Sequence, residues 1–123
     1  MAKKILVVED DKDIRTVLVK KLKLEKFSVS EAKNGKEGLK ITKSIKPDLV
    51  LLDIQMPVMN GLTYLKKLRA EKWGINIPVI MLTNLSEDEK IAEAVQYNAS
   101  EYLVKTDWKI KEIAQKIRDK IDS

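Results

Sequence analysis

Five short apolar runs punctuate the chain, and longer amphipathic segments fill the intervals between them. The runs are Ile5-Leu6-Val7-Val8, Phe27-Ser28-Val29-Ser30, Leu49-Val50-Leu51-Leu52, Val79-Ile80-Met81-Leu82 and Tyr102-Leu103-Val104. Three of them are continuously apolar, the pattern of strands buried on both faces of a parallel sheet. The second is half polar, which suits an edge strand. The intervening segments carry helical periodicity. Ile14, Val17, Leu18 and Leu22 form one stripe, Leu62, Leu65 and Leu68 another, and Ile110, Ile113, Ala114, Ile117 and Ile121 a third. Asn34 with Glu37 and Ser86 with Glu89 have the spacing of helix-capping pairs, and Pro47 and Pro78 stop helices just ahead of strands. A strand–helix alternation of this regularity predicts a doubly wound α/β domain with right-handed crossovers and five helices, a single domain over residues 1–123.

Composition narrows what such a domain can do. A chain of 123 residues with 44% hydrophobic positions buries roughly two-thirds of its unfolded surface, enough for a core without covalent staples. There is no cysteine and no histidine. That excludes a disulfide framework, thiolate or imidazole zinc sites, cysteine nucleophiles and Ser-His-Asp hydrolysis. No apolar stretch approaches the length that spans a bilayer, and Met1-Ala2-Lys3-Lys4 does not lead into a secretory segment. A cytoplasmic protein with no membrane partner is expected.

Lys and Arg outnumber Asp and Glu by 24 to 19, for a formal net charge of +5. Basic balance raises the question of nucleic acid. The lysines are dispersed among acids, arginine is scarce and aromatics are only 5% of the chain, so specific base recognition is not expected. A solvated lysine-rich surface accounts for the charge.

Open α/β sheets bind ligands beyond the carboxyl ends of their strands, so the residues that follow each apolar run carry the chemistry. After the first run stand Glu9, Asp10 and Asp11; the third ends in Asp53, the fourth in Thr83 and the fifth in Lys105. Taken singly, each has a bland explanation. Asp11 reads as a helix cap, Asp53 as a strand-stopping loop residue and Lys105 as a solvated cation. Together they place charged or hydroxyl groups from four strands at one edge. Carboxylates about 5 Å apart repel by ~3 kcal/mol per pair at an effective dielectric near 20, and a divalent cation relieves that. An all-oxygen donor set points to Mg²⁺, with Mn²⁺ as a substitute.

The stretches Ile5 to Asp11, Leu49 to Pro57 with Asn60-Gly61, Pro78 to Thr83 and Tyr102 to Lys105 resemble the receiver domains of bacterial two-component response regulators, of the single-domain chemotaxis type. The resemblance covers essentially the whole chain. It implies a flavodoxin-like five-stranded parallel sheet in the order 2-1-3-4-5. It also implies that Asp53 is the phosphoacceptor, that Asp10 ligates Mg²⁺ directly with Glu9 beside it, and that the Gln55 carbonyl is a further ligand. Thr83 and Lys105 would contact the phosphoryl oxygens, and Tyr102 would be the aromatic switch residue. A histidine kinase or phosphotransfer protein would be the donor. The chain would be no enzyme beyond catalysing its own phosphorylation and dephosphorylation, and a monomer or a phosphorylation-dependent homodimer.

This sequence departs from the family pattern at three places. Thr106 follows Lys105 where a proline is usual, so a trans bond is expected there. Asn98-Ala99 replaces Gly-Ala, and Asn84 replaces a very small residue. Two positions bordering the acceptor, Gln55 and Leu85, lead to the expectation of a long-lived phosphorylated state.

Other function classes fit less well. A flavin mononucleotide carrier needs a phosphate-binding loop where Glu9-Asp10-Asp11 stands. A Mg²⁺-dependent phosphohydrolase with an Asp53 nucleophile would carry a second aspartate at the position of Gln55. The receiver portion of a longer DNA-binding regulator is the remaining alternative.

Overall fold

The structure, a computed structural model, describes residues 2–53, 58–83, 101–104 and 110–121; for residues 83, 101–104, 110 and 111 it describes the backbone. Strands β1 (Lys4–Val8), β2 (Ser28–Ala32), β3 (Leu49–Asp53), β4 (Val79–Thr83) and β5 (Glu101–Val104) form one parallel sheet in the order β2-β1-β3-β4-β5. Helices α1 (Lys12–Leu24), α2 (Gly35–Ile45), α3 (Gly61–Arg69) and α4 (Ile110–Ile121) are the four among the described residues. The fifth helix expected from the sequence, with its Ser86–Glu89 start, falls on residues 84–100, outside the described ones.

Alternate residues of each central strand enter opposite layers of core. Leu6, Val8, Val50, Leu52, Val79 and Met81 face α2 and α3, where Leu62, Tyr64, Leu65 and Leu68 cover them. Ile5, Val7, Leu49, Leu51, Ile80 and Leu82 face α1 and α4, meeting Leu18, Val19, Leu22, Ile113, Ala114 and Ile117. Both layers are apolar, which is why β1 and β3 read as unbroken apolar runs. β2 has a neighbour only in β1, and its Ser28 and Glu31 are exposed, as an edge strand permits.

Helix starts follow local chemistry. Asp11 caps α1, its Oδ1 accepting from the Asp13 and Ile14 amides at 2.9 and 3.0 Å. Asn34 caps α2 through the Glu37 amide at 2.8 Å, and Asn60 caps α3 through the Thr63 amide at 2.9 Å. At its other end α2 stops at Lys46, in the left-handed region at φ 47, with Pro47 behind it.

The first helix departs from the stripe expected of it at one position. Val17 is 46% exposed, whereas Val19 is buried beside Leu18 and Leu22. Ile14, Leu18 and Leu22 pack on the core as the stripe predicts, Val19 joins them in place of Val17, and Arg15 reaches over the carboxyl edge of the sheet. The second strand also lies one residue later than its apolar run, and extends to Ala32.

Candidate functional site

Register brings the acids together. Val8 of β1 is level with Leu52 of β3, so the residues that follow, Glu9 and Asp53, leave the two strands at the same height. The Glu9 amide donates to the Ala32 carbonyl at 3.0 Å, carrying the β1–β2 ladder one residue past Val8. Glu9 is fully buried and Asp53 is 3% exposed. Asp10, between Glu9 and the Asp11 cap, is exposed. One carboxylate oxygen from each of Glu9, Asp10 and Asp53 lies within 4.8 Å of the others.

Three carboxylates at such separations, two of them out of contact with water, repel by ~3 kcal/mol per pair unless a cation is shared among them. Hard oxygen donors alone, with no nitrogen or sulfur ligand, suit Mg²⁺. The residues present therefore fit the metal. Asp53, a member of this set, stands at the tip of a central strand.

The remaining residues expected at the site are placed in part. Thr83 is the last residue of β4, paired in register with Val104 of β5, one step beyond the level of Asp53, which pairs with Leu82. Tyr102 lies in β5 opposite Met81. Gln55, Asn84, Leu85, Asn98, Ala99, Lys105 and Thr106 lie outside the described residues. Two described residues were not anticipated from the sequence. Arg15 donates from Nη1 to the Glu9 carbonyl at 2.8 Å and to the Asp10 carbonyl at 3.4 Å, and from Nε to Glu31 Oε1 at 3.1 Å. The signal available for it was its place three and four residues before Leu18 and Val19, on the inward face.

Comparison with known proteins agrees with this geometry. Residues 5–118 match the response regulator receiver domain family. The chain belongs to that family. Receiver domains are signalling switches of two-component systems rather than classical enzymes, and they bind Mg²⁺ at an acidic site. The chain is 36% identical over 105 residues to the alkaline phosphatase synthesis transcriptional regulatory protein PhoP of Bacillus subtilis, covering 85% of this chain and 43% of that protein. It spans about half, or less, of the length of the curated relatives it matches. Among solved structures, it is similar to a CheY-like response regulator receiver domain protein from Methanospirillum hungatei, with a TM-score of 0.93 at 28% identity over 99% of this chain and 95% of that one. The receiver domain of the sensor histidine kinase PA1611 from Pseudomonas aeruginosa has a TM-score of 0.91 at 25% identity, with both chains fully covered. That structure has a magnesium ion coordinated in its active site cleft.

The described residues hold no helix long and apolar enough to cross a membrane.

Proposed function

We propose that the chain is a single receiver domain over residues 1–123 that accepts a phosphoryl group on Asp53 from the phospho-histidine of a histidine kinase or phosphotransfer protein. The observation that carries this reading is the convergence of Glu9, Asp10 and Asp53 at the carboxyl edge of the sheet. An Asp53 carboxylate oxygen forms the new O–P bond. The P–N bond to the donor imidazole breaks, and its electron pair stays on the imidazole nitrogen. Glu9, Asp10, Asp53 and the Gln55 carbonyl would hold Mg²⁺, or Mn²⁺ in its place. When bound, the metal supplies positive charge to the equatorial phosphoryl oxygens. Lys105 adds to that charge, and Thr83 donates its hydroxyl to a phosphoryl oxygen once the group has arrived.

Thr83 is register-paired in the β4–β5 ladder, with Tyr102 one strand away. A shift of Thr83 toward the phosphoryl group is the route by which Tyr102 and the partner-binding face would respond. The domain would act in the cytoplasm, as a monomer or a phosphorylation-dependent homodimer, with no membrane or specific nucleic-acid partner. Its only catalysis would be its own phosphorylation and dephosphorylation. Residence in a longer DNA-binding regulator is the second reading, favoured by the greater length of the curated relatives. An immunoblot of the native host at about the 14.1 kDa of this chain, or well above it, separates the two.

Intact mass after incubation with acetyl phosphate tests the main reading. One phosphoryl group should be gained with Mg²⁺, none with chelator and none in Asp53→Asn. A variant that still gains it at the wild-type rate would remove Asp53 from the role.

A further inference from the structure

The Arg15 side chain ties the acidic loop to the β2 edge of the sheet. Its Nη1 donates to the carbonyls of Glu9 (2.8 Å) and Asp10 (3.4 Å), and its Nε to the Glu31 carboxylate on β2 (3.1 Å). These two carbonyls belong to the peptide units on either side of the Asp10 α-carbon. Holding both planes sets the φ and ψ of Asp10, and with them the direction in which its side chain leaves the backbone. The neighbouring peptide units are held as well. The Glu9 amide is bound to the Ala32 carbonyl, and the Asp11 carboxylate caps α1. Arg15 completes a truss in which Asp10, exposed and otherwise on a loop, is aimed at the buried Glu9 and Asp53.

We propose that Arg15 is a positioning residue for the divalent cation site: its guanidinium, anchored by Glu31, fixes the Glu9 and Asp10 peptides so that three mutually repelling carboxylates stand ready for the metal. The proposal rests on the reading of Glu9, Asp10 and Asp53 as that site. A planar fork is needed for it. The two nitrogens point in fixed directions to β2 and to the loop, whereas a lysine ammonium is a single point charge at the end of a flexible stem. The Arg15 side chain is 15% exposed, and its bond to the Glu9 carbonyl is partly buried.

Electrostatics and positioning predict opposite signs, which makes the inference testable. Arg15 is a cation near a cation site. If its charge were what mattered, Arg15→Ala would tighten Mg²⁺ binding. If it positions the loop, Arg15→Ala weakens Mg²⁺ binding, by about 10-fold, as losses of groups that orient metal ligands commonly do.

The experiment is calorimetric titration with MgCl₂ of the wild type, Asp53→Asn, Arg15→Ala and Arg15→Lys, with thermal unfolding of each in chelator. Wild-type binding that is lost in Asp53→Asn locates the metal at the cluster. Absence of wild-type binding would overturn the cation-site reading itself, and Arg15 with it. Given wild-type binding, weaker Mg²⁺ affinity in both Arg15 variants supports the positioning role. Equal or tighter affinity overturns it, as does a fall in thermal stability with no change in affinity. Arg15→Lys retains the charge and most of the stem, so it keeps the test decisive should Arg15→Ala fail to fold.

Discussion

At Val58 the backbone has φ 71, in the left-handed region, where a β-branched side chain crowds the following carbonyl. The cost is about 1–2 kcal/mol, and with the side chain 75% exposed little packing offsets it. Val58→Asn should therefore stabilise the protein by ~1 kcal/mol, raising the thermal midpoint by about 3–5 °C. A midpoint that stays put or falls would mean that the Val58 side chain contributes contacts of its own. A second residue-scale effect lies under α2. The Thr42 hydroxyl gives its one proton to the Gly38 carbonyl at 2.7 Å, so Tyr64, 2.6 Å away, must be the donor in their bond. Burial pushes the Tyr64 hydroxyl from 10.0 up to about 12, outweighing the opposing pull of Thr42 and Arg69. Below pH 10 the folded and unfolded tyrosines are both protonated, and the stabilisation is complete. As pH rises to 12 the unfolded chain gives up this proton while the folded one keeps it, and on the order of 3 kcal/mol is lost. Tyr64→Phe, which should cost about 1 kcal/mol at pH 7, removes that component. Chemical denaturation at pH 8 and pH 11 should show the wild type losing more stability than Tyr64→Phe; equal losses would place the alkaline sensitivity elsewhere, among the lysines.

Packing between elements turns on α2, which lies close against the sheet because it presents glycine there. A Cβ at Gly38 would stand 2.9 and 3.0 Å from the two methyl carbons of Val8, a fully buried residue at the end of β1. Gly38→Ala should destabilise by about 1–3 kcal/mol, since neither β1 nor the fully buried Tyr64 beneath the helix has room to yield. Urea unfolding would show this as a lower midpoint at unchanged slope, and wild-type behaviour would mean that the helix lifts without cost. The close approach also shows what was legible beforehand. Continuous apolar runs disclosed β1, β3 and β4, because a strand buried on both faces has no polar position to spare. Caps disclosed the starts of α1 and α2, because Asp11 and Asn34 act on amides two or three residues away. The inward stripe of α1 was legible at Ile14, Leu18 and Leu22 but not at Val17. Val17 and Val19 are equivalent by hydropathy, and helical periodicity alone does not decide which of them turns inward. The Glu9–Asp10–Asp53 convergence was readable because it follows from strand ends and parallel register. The Arg15–Glu31 brace was hidden, because it joins a helix to an edge strand whose register no local pattern states.

At the scale of the whole molecule, the +5 charge is distributed in a way the composition does not reveal. The chain has only three arginines, Arg15, Arg69 and Arg118, and each is committed to the fold. Arg15 holds the acidic loop and Glu31. Arg69 donates to the carbonyls of Gly74 and Ile77 at 2.7 and 2.8 Å, closing the turn that follows α3. Arg118 of α4 pairs with Glu25 past the end of α1, its guanidinium 5.5 Å from the centre of the Phe27 ring. The planar forks that read guanine edges are thus occupied within the molecule, and the excess positive charge rests on dispersed lysines. Lysines of that kind neutralise phosphates without distinguishing bases. DNA binding by these 123 residues should accordingly be indifferent to sequence and driven by counterion release. With about three or four phosphate contacts, affinity should fall roughly 40- to 150-fold between 50 and 200 mM salt. Fluorescence anisotropy with two unrelated duplexes across that range measures both properties. A preference for one duplex that persists at the higher salt would require base recognition by lysines or backbone amides, and would overturn the assignment of the surface charge to solvation.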